Sequence, residues 1–159
     1  MDYIQQWQQN LKQASQEGNL RRLFDEAFYK AGPDIIALNI TQIDQHEGFD
    51  DKPLINKIKI FKDGVYSGAT QAFSEGANTP KIKDEPYNFN WAGDFLGNFN
   101  IKAVSKGFAT YSTGTGGGDK QRFFEGYDNM FGLNTENTKT IEDEVLRYVL
   151  EKTLSSIYG

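Results

Sequence analysis

Apolar residues recur at helical spacing at both ends of the chain and alternate with polar ones in its middle. Tyr3, Ile4, Trp7 and Leu11 form the first helical stripe, in a Gln-rich stretch that favours helix. Gly18 interrupts it, and Asn19 is placed to cap a second run carrying Leu20, Leu23, Phe24, Ala27 and Phe28. Ala31-Gly32-Pro33 is expected to end that run. Pro33 suits the first turn of a third helix with Ile35, Ile36, Leu38 and Ile43, because its missing N–H has no partner there anyway. Near the other end, Ile141, Val145, Leu146, Val149, Leu150, Leu154 and Ile157 predict a long terminal helix over 134–158, capped by Asn134 or Thr135. Glu142, Asp143 and Glu144 sit toward its start, where the helix dipole favours negative charge.

Between these ends the period shortens. Lys57 and Lys59 alternate with Ile58 and Ile60, which predicts a short edge strand with lysines outward before the Asp63-Gly64 turn. The run Tyr87–Phe99 is dense in aromatics broken by glycine and asparagine. Phe95, Phe99, Ile101 and Ala103 share one parity, with Asn98, Asn100 and Lys102 on the other, so one face is expected in a core and one in water. Ser105-Lys106-Gly107 turns the chain back through Phe108, Thr110 and Ser112, too short a link for a parallel crossover. Residues 63–86, rich in Gly, Ala, Ser, Asn and Pro, predict a long loop, and Thr113–Gly118 a flexible one. Phe123, Phe124, Tyr127, Met130 and Phe131 form a short aromatic cluster ahead of the last helix. The expected fold is a single α+β domain over 1–159. Its parts are a helical segment over 1–45, a mainly antiparallel sheet within 54–113, and the terminal helix.

Composition narrows the chemistry. With 159 residues, 38% hydrophobic and 14% aromatic, the chain can bury roughly 70% of its unfolded surface in one core. It has no cysteine, which removes disulfides and thiolate metal sites, and one histidine, His46, which removes multi-histidine sites. No apolar run reaches the roughly 18 residues that span a bilayer, so no membrane partner is expected. Net charge is −5, and Arg21–Arg22, the only adjacent basic pair, falls on a helix that is expected to be solvated. Sequence-specific nucleic-acid binding is therefore not expected.

Candidate motifs are few. Gly114–Lys120 has glycines and a lysine, but Asp119 stands where a phosphate loop needs glycine, and Gln121 follows where it needs a hydroxyl. His46 lies in a turn cluster with no Gly-x-Ser-x-Gly elbow to partner it. Asp50–Asp51 and Asp84–Glu85 are adjacent acids that a strand would send to opposite faces. Asp94 is the acid inside the aromatic motif. It is expected to accept hydrogen bonds from the backbone of the preceding turn, though with Tyr87, Phe89 and Trp91 it also suits a sugar platform. The interaction candidates are Tyr66, Tyr87, Phe89, Trp91, Asp94 and Phe131, and no catalytic, metal or cofactor residue is assigned.

The order of these motifs carries a resemblance. Leu38-Asn39 with Gln42, the Gly48 turn with Lys52-Pro53-Leu54, and Tyr66-Ser67 with Ala69-Thr70 come first. Glu85-Pro86-Tyr87-Asn88-Phe89, Trp91-Ala92-Gly93-Asp94-Phe95 with Phe99, and Phe131-Gly132-Leu133-Asn134 with Glu136-Asn137 follow. From about residue 35 to 150 this resembles a group of small proteins of tailed phages and prophages of the Bacteroidetes, and more broadly the tail-completion and virion-morphogenesis class. Ala92 departs from that pattern, which usually has threonine there. The resemblance implies a non-enzymatic virion protein of the neck or tail end, assembled in the host cytoplasm as a homo-oligomeric ring. Its implied partners are portal or adaptor, tail tube or sheath. Loops 63–86 and 113–120 are the expected subunit contacts. Two other readings are a small carbohydrate-binding or glycan-cleaving module and a cytoplasmic adaptor.

Overall fold

The computed structural model describes residues 3–76, 80–89, 94–104, 107–115 and 118–158. The fold is α+β, with helices at both ends of the chain and an antiparallel hairpin between them. It forms two compact units, Met1–Ile35 with Glu136–Gly159, and Ile36–Thr135.

The first unit is helical. Helix α1 spans Tyr3–Ala14, α2 spans Glu17–Asp44 and α6 spans Thr135–Tyr158. Leu23, Ala27, Ala31 and Ile35 are buried every fourth residue along α2, as are Ile141, Val145 and Val149 on α6. Residues four apart lie on one helix face, so each set is a continuous apolar ridge. Asn10 of α1 donates to the Ile157 carbonyl at 3.4 Å, and the Tyr148 hydroxyl of α6 donates to the Glu26 carboxylate of α2.

Two expectations about the N-terminal helices are corrected. Helix α2 runs through Ala31-Gly32-Pro33 without a break, so no third helix starts at Pro33. Proline removes one hydrogen-bond donor, but buried Ala27, Ala31 and Ile35 on one face hold the turns on either side of it. The α1–α2 break falls at Ser15–Gln16. Gly18 and Asn19 lie inside the first turn of α2, where the Asn19 amide donates back to the Gln13 carbonyl at 2.6 Å.

The second unit holds the hairpin and the aromatic core. Strand β1, Phe99–Val104, pairs with β2, Gly107–Ser112, with Phe99 opposite Ser112, Ile101 opposite Thr110 and Ala103 opposite Phe108. The antiparallel pairing is the expected one; Gly107, expected in the turn, begins β2, and turn residues 105 and 106 lie outside the described residues. Among the described residues the sheet has two strands, fewer than expected. Phe95 is not on β1. Asp94–Gly97 form one helical turn, α4, and Phe95 is buried from there. The 57–60 segment is not a strand either, because Lys59–Phe61 form a 3-10 turn and leave Ile60 70% exposed.

Ile43, Leu54, Phe89, Phe95, Phe99, Phe124, Tyr127 and Met130 make one buried cluster, against which Ile36, Ile40, Tyr87 and Phe131 pack. Phe95 stacks on Phe124 at 3.9 Å between ring centroids and meets Phe99 edge-on at 5.3 Å. Phe131 joins them at 5.6 Å from Phe99 and 6.1 Å from Phe95, which makes it a core residue of this unit.

A buried polar clamp holds this core to the second half of α2. Asn39 is wholly buried, and its amide nitrogen donates to the Met130 carbonyl at 3.0 Å and the Gly132 carbonyl at 2.9 Å. Its amide oxygen accepts from the Thr110 hydroxyl at 2.6 Å and the Gly132 N–H at 3.2 Å. Gln42, one turn on, donates to the Gly132 carbonyl at 3.0 Å and accepts from the Asn134 N–H at 2.8 Å. Gly132 has φ +133°, and a Cβ there would sit 3.1 Å from the Phe49 Cβ, so both conformation and space call for glycine.

Asn39→Leu takes the Asn39 partner from the Met130 carbonyl, the Gly132 N–H and the Thr110 hydroxyl, while Gln42 still serves the Gly132 carbonyl, and should cost about 3 kcal/mol of stability, measured by urea unfolding. Thr110→Val removes one bond and should cost about 1 kcal/mol in the same assay.

Candidate functional site

The residues between Gly64 and Phe89 form one wall of a pocket in the second unit. Tyr66 pairs with the returning chain: its N–H donates to the Glu85 carbonyl at 2.9 Å, and its own carbonyl accepts from Asp84 N–H at 3.0 Å. Val65 and Pro86 form an isolated antiparallel bridge. The segment expected to be an open loop over 63–86 instead contains helix α3, Gly68–Ser74. Ser67 caps it, accepting the Thr70 N–H at 3.1 Å. Buried Ser74 accepts from the Lys81 N–H at 2.7 Å, and the Gln71 side chain accepts from the Lys83 N–H at 2.8 Å. These bonds are polar, so no apolar periodicity announced them.

The pocket also has an aromatic wall, to which Tyr66 and Tyr87 of that stretch contribute. Tyr66, Tyr87, Phe123 and Phe61 meet edge-to-face in succession, at 4.9, 5.1 and 5.1 Å between centroids. Phe89 is buried 5.4 Å from Tyr127. Its φ of +55° is a left-handed conformation that costs a bulky residue about 1–2 kcal/mol. His46, expected in an exposed turn, is half-buried, with its ring 5.9 Å from that of Phe89.

Asp94, in the first turn of α4, faces Lys120 of α5, which spans Asp119–Glu125. The Lys120 ammonium donates to the Asp94 carboxylate at 2.6 Å. The carboxylate thus has a side-chain partner that the sequence reading did not include, and the preceding turn, residues 90–93, to which that reading tied it lies outside the described residues. Gly114 positions the pair, since a Cβ there would fall 1.9 Å from the Asp94 carbonyl oxygen. The glycine run read as a flexible loop thus has a packing role at Gly114. Residues 116 and 117 lie outside the described residues.

These walls enclose about 570 Å³, lined by Tyr66, Tyr87, Phe89, Asp94, Lys81 and Lys120 together with Phe61, Phe95, Phe123, Phe124, Ser67, Thr70, Asp63 and Asp84. Four of the six sequence candidates, Tyr66, Tyr87, Phe89 and Asp94, therefore converge here. Phe131 belongs to the core behind the pocket, and Trp91 lies outside the described residues. Sequence reasoning missed Lys81 and set Lys120 aside with the failed phosphate-loop pattern of 114–120. Lys81 is 2% exposed, with its ammonium 2.8 Å from the Asn88 side-chain oxygen and 5.5 Å from the Tyr66 ring centre.

The electrostatics follow from these neighbours. The Lys120 hydrogen bond holds the Asp94 carboxyl below its ordinary value, and burial pushes the Lys81 amine below the usual lysine range. Burial raises the Tyr66 and Tyr87 phenols, so both are protonated hydroxyl groups near neutral pH. Outside the pocket, Asn129 lowers the Asp50 carboxyl and Thr135 lowers that of Asp51. These adjacent acids serve different partners. Asp50 accepts from the Asn129 amide at 2.7 Å, and Asp51 accepts the Thr135 N–H at 2.9 Å at the start of α6. Among the described residues, no group of three or more His, Asp or Glu side chains is gathered to hold a metal ion. No described helix is long and apolar enough to cross a membrane.

Three carboxyls with lowered folded values contribute stability that is fully present above the ordinary aspartate value of 3.8 and is lost as pH falls through the lowered folded values. The urea midpoint should therefore decline on acidification below pH 3.8, and Asp51→Asn should make that decline shallower. Comparison with protein-family models, with curated proteins and with solved structures returns no match for this chain.

Proposed function

We propose that this chain is a non-enzymatic structural protein of a phage virion, working at the neck or tail end by ring assembly and protein–protein contact. One observation carries the assembly reading. Leu146, Leu150 and Leu154 recur every fourth residue on α6 and stay 55%, 59% and 42% exposed, although Ile141, Val145 and Val149 on the neighbouring face are buried. A helix with a second apolar stripe in water has surface to bury against a partner. The occupant is a second copy of the chain, as a homo-oligomeric ring requires. In the segment 63–86, Phe73 is 85% exposed on the Ser67-capped α3, which gives that expected contact region an apolar anchor.

The virion reading draws on the motif order, in which Asn39 and Gln42 belong to one quoted motif and Gly132 and Asn134 to another. The net charge of −5 suits a lumen through which DNA passes without sticking. The partners that follow are portal or adaptor and tail tube or sheath proteins.

Native mass spectrometry of the full chain should give a closed oligomer, and Leu146→Ser with Leu150→Ser should reduce it to monomer with an unchanged circular-dichroism spectrum. Particles purified from a phage carrying this gene should contain the protein in several copies, and inactivating the gene should leave heads and tails unjoined. A monomeric chain, or particles without it, would overturn the proposal.

A further inference from the structure

The pocket bounded by Tyr66, Tyr87, Asp94 and Lys120 has a chemical character of its own, separate from the exposed leucines of α6. Its volume of about 570 Å³ falls within the roughly 300–1,000 Å³ of small-molecule sites. Phe61, Tyr87 and Phe123 line it while staying only partly buried, so ring surface is accessible to a ligand. Asp94 and Lys120 stand side by side on the same lining, 46% and 33% exposed, with a carboxylate acceptor beside an ammonium donor.

The charge pattern discriminates among ligand classes. On the lining Lys120 is already paired with Asp94 and the Lys81 ammonium donates to the Asn88 side chain, so a phosphate or polyanion would have to displace one of these partners. A cation would have to displace Lys120 from Asp94 and Lys83 from Asp84. A purely apolar ligand would strip water from the Asp94–Lys120 pair and return no hydrogen bond. A neutral polyol satisfies both surfaces. One hydroxyl of a vicinal pair donates to the Asp94 carboxylate while its neighbour accepts from the Lys120 ammonium, and the C–H face of the ring lies against the aromatic wall.

We infer that this pocket binds a neutral saccharide of one or two rings, with Asp94 and Lys120 gripping a vicinal diol and Tyr87 and Phe123 packing against the ring. No bond is made or broken. The site depends on nothing in the ring-assembly reading, and a virion protein and a protein of another kind can each carry it.

The test is saturation-transfer NMR and titration calorimetry on the full chain with glucose, galactose, N-acetylglucosamine, maltose, lactose and cellobiose. At least one should saturate with millimolar or tighter affinity. Asp94→Asn and Lys120→Met should each weaken it tenfold or more, and Tyr87→Ala at least as much, while Leu150→Ser on α6 leaves it unchanged. Asp94 and Lys120 are partly exposed, so their variants should stay folded with only a modest drop in melting temperature. Tyr87→Phe, which retains the ring, should retain most of the affinity. No saturation by any of these sugars would overturn the inference. So would sugar binding indifferent to Asp94→Asn and Lys120→Met, or saturation only by inorganic phosphate or benzoate run as comparison ligands.

Discussion

The second unit depends on a buried amide. Asn39 uses both donors and both acceptor sites of its side chain, on two carbonyls, one of them shared with Gln42, one backbone N–H and the Thr110 hydroxyl. Through it α2 is fastened to β2 and to the 130–132 turn. Gln42, one turn further on, extends the grip to Asn134 just before α6 begins. Buried polar groups are costly when unsatisfied and specific when satisfied, because only one arrangement pairs them all. An apolar contact at position 39 would bury comparable area and would not select the path of residues 130–134.

The aromatic lattice is what the clamp positions. Phe123 and Phe124, adjacent on α5 and 5.2 Å apart, face two different sets of rings. Phe124 stacks on Phe95, which reaches Phe99 and Phe131 in the core. Phe123 meets Tyr87 and Phe61, which line the pocket. One short helix thus ties the core to the pocket wall, and the same packing over-determines Phe89, which keeps a left-handed backbone despite its bulk. The remaining wall is built from capped turns and backbone bonds, as at Ser67, Ser74 and Gln71.

Parts of this arrangement were legible in advance. The 3.6-residue period of Ile141, Val145 and Val149 marked α6, and alternation with a short link marked the antiparallel β1–β2 pairing. The failures have identifiable causes. Pro33 is a strong local signal for a helix start, and tertiary burial of Ala27, Ala31 and Ile35 overrode it. Lys57–Ile60 alternates over too few residues to separate a strand from a turn, and the segment became a 3-10 turn. The 63–86 stretch looked shapeless because side chain–backbone bonds hold it, and such bonds leave no periodic trace.

The sequence by itself determined the class of the fold, the terminal helix, the antiparallel hairpin and the set of aromatic residues available for packing. Each follows from local periodicity or from residue chemistry. Tertiary structure alone decided which of those residues share a site. Asp94 and Lys120 are separated by 26 positions, and Tyr66 lies 22 positions before Asn88, to whose side-chain oxygen it donates. Asn39 meets Gly132 across 93 positions. No local pattern encodes such distances. They are set when the chain finds the one packing in which buried amides, ring edges and a cavity-lining ion pair are satisfied together.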